Sequence, residues 1–520
     1  EHAVEAAKQI GYPVMLKASA GGGGKGMRIA RDDAECRDGF ARAANEARSS
    51  FGDDRILVEK FIEEPRHIEI QIMADSHGNV VYLNERECSL QRRHQKVIEE
   101  APSPFLDEAT RKQMGEQAVT LARAVDYQSA GTVEFIVDPQ RNFYFLEMNT
   151  RLQVEHPVTE LTTGLDLVEL MIRVAAGEKL PIRQADVRLD GWAIESRVYA
   201  EDPFRNFLPS IGRLVYYRPP ADDDHVRVDT GVYEGGEVSM FYDPMIAKLI
   251  TYGDNREEAI AHMRSALDRF IIRGVSCNLA FLSALMAHPR YVEGNISTNM
   301  IGDEYPDGFS PEDLPHEDPA IIISVAASIV RRYRDRAACI EGQLPGHERS
   351  VPNDWVVVMD RVQHPVRVVA TDGGCDVQYE GRTYAVRSDW DFGQHLFSGT
   401  INGRDIFVQV QRRNQVYRLS RGGSQSDLQI LTPRAARLMR HMPVKAPPDT
   451  SRHLISPMPG LLVSVAVEEG QEVKAGEELA VLEAMKMENT LRAERNGTVA
   501  KVHFEPGASL EVGDTIMEFE

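Results

Sequence analysis

Cysteine is scarce in this chain: five in 520 residues, at positions 36, 88, 277, 339 and 375, none in CxxC spacing. That excludes a zinc ribbon or a disulfide framework and fits a reducing compartment with free thiols. No run of about 18 apolar residues occurs, so no membrane-spanning helix is expected. A basic surplus is missing too: 59 Lys and Arg stand against 80 Asp and Glu, a formal charge of -21. A field of that sign repels phosphate polymers and anionic lipid. Neither nucleic acid nor a membrane is therefore an expected partner, and anionic substrates must be caught by local Arg and Lys groups. An initiator methionine and a signal peptide are also absent, so upstream sequence, with any targeting signal, is expected before Glu1. What is present is ordinary globular sequence, 42% hydrophobic, enough for roughly three or four domains at ~150 residues each.

The carboxyl end is an internal repeat. "GLLVSVAVEEGQEVKAGEELAVLE" (460–483) aligns without gaps to "GTVAKVHFEPGASLEVGDTIMEFE" (497–520), so that Gly460, Val465, Glu468, Gly470, Gly476 and Glu483 meet identical residues. Short alternating strands between Gly turns predict a small antiparallel sandwich of two similar halves. The joint between the halves carries Ala484-Met485-Lys486-Met487, a lone amine between two large apolar side chains. A lysine in a turn ordinarily only solubilises it. This stretch, however, resembles the attachment motif of the biotinyl domain family, over residues 455–520; the related lipoyl domains flank their lysine with Asp and Ala. The resemblance implies biotin covalently held on Lys486, placed there by a biotin protein ligase.

Near the start, "YPVMLKASAGGGGKGMRIA" (12–30) reads as strand, glycine loop, strand. Successive glycine N–H groups can approach phosphate oxygens. The GK[ST] ending of a Walker loop and a following helix are missing, so a phosphate flap of ATP-grasp type fits better, with Lys17 reaching the phosphates. In "GTVEFIVDPQRNFYFLEMNTRLQVEHP" (131–157), two strands flank a turn at 139–142. A hairpin centred between Gln140 and Arg141 places Glu134 opposite Glu147. Opposed like charges on one sheet face are destabilising, by roughly 3 kcal/mol at ~5 Å and an effective dielectric near 20. A divalent cation, Mg²⁺ or Mn²⁺, held by Glu134, Glu147 and Asn149 relieves that repulsion.

"EMNTRLQVEHPVTE" (147–160), "QRRHQKVIEEAPSP" (91–104) and "ESRVYAEDP" (195–203) together resemble biotin carboxylase, an ATP-grasp enzyme, and the likeness runs from residue 1 to about 305. By matching position it implies ATP contacts from Lys17, Gly23, Gly24, Glu59, Lys60, Phe61, Ile62, His67, Gln91 and His94. It implies bicarbonate at Lys96, Arg151, Gln153 and Val154, and catalytic roles for Lys96, Arg151, Glu155 (the base) and Arg197, which would face biotin. The family's N-terminal lobe has no counterpart here, so the carboxylase is expected to be partial. The residue types suit the chemistry: a carboxylate can deprotonate bicarbonate as it attacks the γ-phosphoryl group, and cations neutralise the phosphoryl-transfer transition state.

Residues 303–317, rich in Pro, Asp and Gly, read as a boundary. "PAIIISVAASIVRRYRDRAA" (319–338) has helical length and an apolar stripe of Ile322, Val325 and Ile329. Eight short alternating segments follow, from "WVVVMD" (355–360) to "DLQILT" (427–432), and predict a small closed barrel. "PVKAPPDTSRH" (443–453) is a Pro-containing linker reaching at most roughly 40 Å.

The expected fold class is multidomain α+β. It comprises an ATP-grasp lid subdomain (1–62), the rest of a partial biotin carboxylase (63–306), and a helix plus eight-stranded antiparallel β-barrel docking domain (317–442). The linker and a β-sandwich biotinyl domain (454–520) complete it. This order resembles the α subunits of acyl-CoA carboxylases, those for propionyl-CoA above all. It implies a ligase forming C–N and C–C bonds, which carboxylates biotin from ATP and bicarbonate. The carboxyl group would pass to propionyl-CoA, giving methylmalonyl-CoA, on a separate carboxyltransferase β subunit in an α6β6 assembly. An α subunit for 3-methylcrotonyl-CoA or acetyl-CoA is the alternative within the family, and a non-catalytic biotinyl scaffold the alternative outside it. The implied compartment is cytoplasmic in a bacterium and the mitochondrial matrix in a eukaryote.

Overall fold

The computed structural model describes residues 2–19, 27–239, 242–443, 452–484 and 487–520. The chain divides into two compact units: residues 1–196 with 252–259 and 293–306, and residues 197–251 with 260–292 and 307–520.

The first unit opens with α1 (His2–Ile10), β1 (Val14–Ala18), β2 (Met27–Ala30), α2 (Asp33–Phe51) and β3 (Ile56–Lys60). Its three strands form an antiparallel sheet in the order β2-β1-β3. Alternation along β1 buries Val14, Leu16 and Ala18, and Val14 and Leu16 share a core with Val4, Ala7 and Cys36. Asp32 starts α2 by accepting from the Ala34 and Glu35 N–H groups, and Gly52 ends it in the left-handed region.

The larger sheet of this unit runs β9-β6-β5-β4-β7-β8, with β4 (Arg66–Ala74), β5 (Val80–Arg92), β6 (Gln95–Ala101), β7 (Ser129–Val137), β8 (Phe143–Asn149) and β9 (Trp192–Tyr199). Every residue of β4, "RHIEIQIMA", is buried. Ile68, Ile70 and Ile72 pack with Met114, Ala118 and Ala122 of α3 (Glu108–Ala124). Because side chains alternate across a strand, His67, Glu69 and Gln71 take the opposite face. That face holds the polar cluster described below.

In the second unit, α5 (Arg256–Arg269, whose first turn belongs to the first unit) and α6 (Leu279–Ala287) precede α7 (Pro319–Ala338). Eight strands then close into a barrel: β10 (Asp354–Met359), β11 (Val362–Thr371), β12 (Gly374–Tyr379), β13 (Arg382–Arg387), β14 (Leu396–Ile401), β15 (Arg404–Arg413), β16 (Val416–Arg421) and β17 (Ser424–Leu431). Val356↔Leu431 to Met359↔Leu428 form the closing register.

The apolar stripe expected on α7 proves to be a belt. Residues 323–330 are buried without a break, whereas Ile322 is only partly so. The helix packs with the inward residues of the barrel, among them Trp355, Val357, Val368, Val377, Phe397, Val408, Leu419 and Leu428. A stripe serves a helix lying on a surface; one enclosed by strands is buried all round. Small residues, Ala326, Ala327 and Ser328, let the strands approach that closely.

At the carboxyl end, β19 (Gly460–Val465), β20 (Glu472–Val473) and β21 (Glu478–Ala484) recur as β23 (Gly497–Val502), β24 (Ser509–Leu510) and β25 (Thr515–Phe519), with β18 (His453–Ile455) and β22 (Met487–Arg492) completing two four-stranded sheets. The two halves exchange their shortest strands in matched register: Glu472↔Thr498 in one sheet answers Leu461↔Ser509 in the other.

Candidate active site

The hairpin β7–β8 puts Glu134 directly across from Glu147, as its sequence predicts, but by a different route. The turn spans Asp138–Asn142, where the Asp138 carboxylate accepts from the Gln140 and Asn142 N–H groups. At the tip Phe135 faces Phe145 and Val137 faces Phe143, so the turn centres on Gln140 and not between Gln140 and Arg141. A bulge beyond Phe135 takes up the extra residue and restores the expected register at Glu134.

Glu134 belongs to a row that crosses four strands. Arg86 on β5 lies opposite Glu69 on β4, Glu69 opposite Glu134 on β7, and Glu134 opposite Glu147 on β8. Glu69 is fully buried and Glu134 nearly so, while Glu147 is exposed. Three carboxylates in adjacent register repel, and two cations counter them. Lys96 Nζ donates to Glu69 Oε2 at 2.6 Å, Glu155 Oε1 at 2.6 Å and Glu134 Oε1 at 3.1 Å. Fully buried Arg86 donates to Glu69 Oε1 at 2.6 Å, to Gln71 Oε1 at 2.6 Å and to the Thr159, Thr132 and Gln153 oxygens at 2.9 to 3.2 Å.

Gln153 links the two halves of the network: its Oε1 accepts from Arg86 and its Nε2 donates to Glu134 Oε1 at 2.9 Å. His67 Nε2 lies 3.0 Å from Glu134 Oε2. The other ring nitrogen, Nδ1, meets the Gln91 side-chain Nε2 at 2.8 Å. An amide NH₂ only donates, so Nδ1 accepts and the ring proton sits on Nε2, facing Glu134. Glu155 stands at the N-cap of α4 (His156–Thr163) without capping it by its side chain, which turns its buried carboxylate to Lys96.

These contacts dictate the electrostatics. Burial alone would raise Glu69, but Arg86 and Lys96 outweigh it and hold the carboxyl at about 2. Burial likewise opposes ionisation of Glu134, and neighbouring His67 and Lys96 keep it far below the usual carboxylate range. For Lys96, burial would lower the amine, yet Glu69 and the other acids hold it well above its ordinary value. Glu69, Glu134 and Lys96 therefore stay charged across the neutral range.

Of the sequence-predicted residues, the structure thus gathers His67, Gln91, Lys96, Glu134, Gln153 and Glu155. Asn149 pairs with Thr132 two residues along the hairpin from Glu147, and half-buried Val154 lies in the loop between β8 and α4. In the same loop Arg151 is exposed, with Nη1 donating to the Leu152 carbonyl at 3.2 Å. The residues expected in a lid form a separate set. Lys17 faces Met27 and Leu57, and Glu59 faces Met15. Phe61 N–H donates to the Pro13 carbonyl, and half-buried Ile62 follows. The Lys60 amine holds the Gly11 and Tyr12 carbonyls at 2.8 and 3.0 Å. His94 and Arg93 form the two-residue β5–β6 turn, both with positive φ (64° and 49°), a conformation that strains non-glycine residues.

Arg197 belongs to the second unit; its carbonyl accepts from Asn278 Nδ2 at 3.0 Å. Gly23, Gly24 and Lys486 lie outside the described residues, Ala484↔Met487 being the last described pair before the lysine.

Glu69 and Arg86 were missed by sequence reasoning, as were Gln71, Thr132 and Thr159 around them. The sequence carries no distinguishing signal for them: "HIEIQI" alternates as an ordinary half-buried strand does, and only the fold buries its polar face as well. The residues present fit a divalent cation. Glu134 accepts three contacts and keeps a lone pair, Glu147 is exposed across from it, and Asn149 adds an oxygen.

Family profiles match in four consecutive stretches: the carbamoyl-phosphate synthase L chain ATP binding domain over residues 1–183, the biotin carboxylase C-terminal domain over 195–303, the propionyl-coenzyme A carboxylase BT domain over 322–445, and the biotin-requiring enzyme profile over 452–519. The propionyl-CoA carboxylase alpha chain of Ruegeria pomeroyi is 56% identical over all of this chain and 79% of its own length. The mitochondrial propionyl-CoA carboxylase alpha chain of Homo sapiens is 51% identical over all of this chain and 72% of its own. Among solved structures, the biotin carboxylase domain of Hydrogenobacter thermophilus 2-oxoglutarate carboxylase, in complex with MgADP, ADP and bicarbonate, is 47% identical. It covers 58% of this chain and 67% of that one, with a TM-score of 0.55. An ATP-binding module, a closed barrel and a biotin-requiring module in this order, with such identity throughout, make the chain a biotin carboxylase-type ligase of the propionyl-CoA carboxylase alpha-chain family.

Proposed function

We propose that this chain carboxylates biotin held on Lys486, using ATP and bicarbonate, and hands the carboxyl group to a separate carboxyltransferase β subunit that makes methylmalonyl-CoA from propionyl-CoA. The single observation that carries the reading is Lys96 gripped by Glu155 and by Glu69 and Glu134, the two middle members of the charged row. An ammonium has three N–H bonds, and all three are engaged. Bicarbonate therefore reaches Lys96 by exchanging with one carboxylate, and the 3.1 Å bond to Glu134 is the longest. Bicarbonate so bound beside Glu155 has a carboxylate at hand to take its proton as it attacks the γ-phosphorus. Arg151, exposed at the mouth of the loop, supplies the second positive charge. A Mg²⁺ or Mn²⁺ ion held by Glu134, Glu147 and Asn149 would neutralise the transferring phosphoryl group.

In this scheme Lys17, Gly23, Gly24, Glu59, Lys60, Phe61, Ile62, His67, Gln91 and His94 serve ATP, Gln153 and Val154 complete the bicarbonate site, and Arg197 faces biotin. The functional modules are residues 1–62, 63–306, 317–442 and 454–520, the last joined by the linker 443–453. The barrel is the platform for the β subunit, in an α6β6 assembly, and a biotin protein ligase loads Lys486. The match of the propionyl-coenzyme A carboxylase BT profile to the barrel supports propionyl-CoA as the acceptor. Intact-mass measurement of protein made with an active ligase tests the reading. One biotinyl group is expected on wild type and none on Lys486→Arg, which should also abolish propionyl-CoA carboxylation. Activity undiminished in Lys486→Arg overturns it.

A further inference from the structure

Within the second unit, the barrel is held on the carboxylase's C-terminal segment. Gln409, on β15 and nearly buried, donates its amide N–H groups to the Phe270 and Asp268 carbonyls at 2.9 and 3.2 Å, and its Oε1 accepts from Arg273 Nη2 at 2.8 Å. These carbonyls belong to the end of α5, where a helix has no partners of its own, so a barrel side chain caps a carboxylase helix.

Beside it, the two-residue turn between β16 and β17 is Gly422-Gly423, both with positive φ (58° and 80°), the backbone of a type I′ turn. Its tip presses on α6. A Cβ at Gly423 would lie 2.8 Å from the Ala280 carbonyl oxygen and 3.1 Å from Ser283 Cβ, and one at Gly422 would lie 2.8 Å from Glu317 Oε1. Gly422 N–H donates to Asp268 Oδ1 at 2.6 Å, Arg421 pairs with Glu317, and the Arg269 guanidinium sits 5.3 Å over the Phe407 ring.

We propose that this glycine tip and Gln409 form a dock that fixes the barrel on the carboxylase, so that the linker leaving the barrel swings the carrier from a set origin. A loose barrel would spread the carrier through a larger volume and dilute it at the carboxylase site. The inference rests on the reading that Lys486 carries biotin.

The test uses the complete complex with the β subunit, comparing wild type with Gly423→Val and with Gln409→Leu, which keeps the volume and removes the donors. Three readings are taken on each: biotin loading by intact mass, bicarbonate-dependent ATP cleavage with free biotin, and propionyl-CoA carboxylation through the carrier. The expected result is unchanged loading and free-biotin turnover in both variants, faster amide exchange in the segment 265–275, and a carrier-dependent rate lower by about ten-fold. Faster exchange with an unchanged carrier-dependent rate overturns the dock, as does an equal fall in the free-biotin reaction. Absence of loading in wild type instead removes the underlying biotin reading.

Discussion

Two sets of β-strands in this chain bury opposite things. In the first unit, the polar face of β4, β5 and β7 hides charge: Arg86, Glu69 and Gln71 are excluded from water and satisfied only by one another and their neighbours. In the barrel, the inward faces of eight strands hide an apolar helix, with Ile323, Val325 and Ile329 at zero exposure. The barrel's interior is additive, each side chain contributing roughly 1.5–3 kcal/mol by leaving water. The sheet's interior is conditional, because a buried carboxylate is tolerable only while its partner is in place. A chain can therefore lose one barrel contact and remain itself, whereas the charged row fails as a set.

Replacing Arg86 should break this contrast most severely. Arg86→Met leaves Glu69 short of its principal cation and Gln153 without its anchor, and should cost about 4 kcal/mol of stability, with bicarbonate-dependent ATP cleavage lost alongside. Denaturant unfolding and steady-state kinetics check both, and Arg86→Lys should recover part of the stability but not the five-way positioning. A loss below that of an ordinary surface change would mean that the row is not conditional. In the barrel, Ile329→Ala should cost about 3 kcal/mol, a cavity penalty, and leave free-biotin ATP cleavage intact; calorimetry and the same assay decide.

The mildest probe is pH. Glu69 is held at about 2 in the fold against 4.5 ordinarily, so its charged form contributes stability above about 4.5 that is lost as pH falls toward about 2. Glu69→Gln should flatten that acid limb in pH-resolved unfolding, while a barrel substitution should leave its shape unchanged.

The same contrast accounts for what could be read in advance. Barrel strands alternate, closed upon themselves, and were legible as eight short segments; the repeat in the carrier landed strand upon strand, Glu472 matching Ser509 in place as in order. Glu134 and Glu147 were found because a hairpin is local, and even there the turn centre was off by half a residue and a bulge restored the pairing. The helix 319–338 was foreseen, but its stripe was not the whole of its apolar surface, since enclosure is a property of the strands around it. That His67 stands 3.0 Å from Glu134 is a contact between strands distant in the chain that the sequence does not display. Glu69 and Arg86 looked like the polar half of ordinary strands.

Alternation, turn residues and an internal repeat are short-range signals, each decided within a few residues, so the amino-acid order alone determined the strands, the duplicated carrier and the facing carboxylates of one hairpin. Tertiary structure decided the rest: Lys96 meets Glu69, Glu134 and Glu155 across separations of 27, 38 and 59 residues. Only the order and register of strands distant in the chain bring one ammonium and three carboxylates together, because cross-strand neighbours are set by hydrogen-bond pairing between strands and not by proximity in sequence.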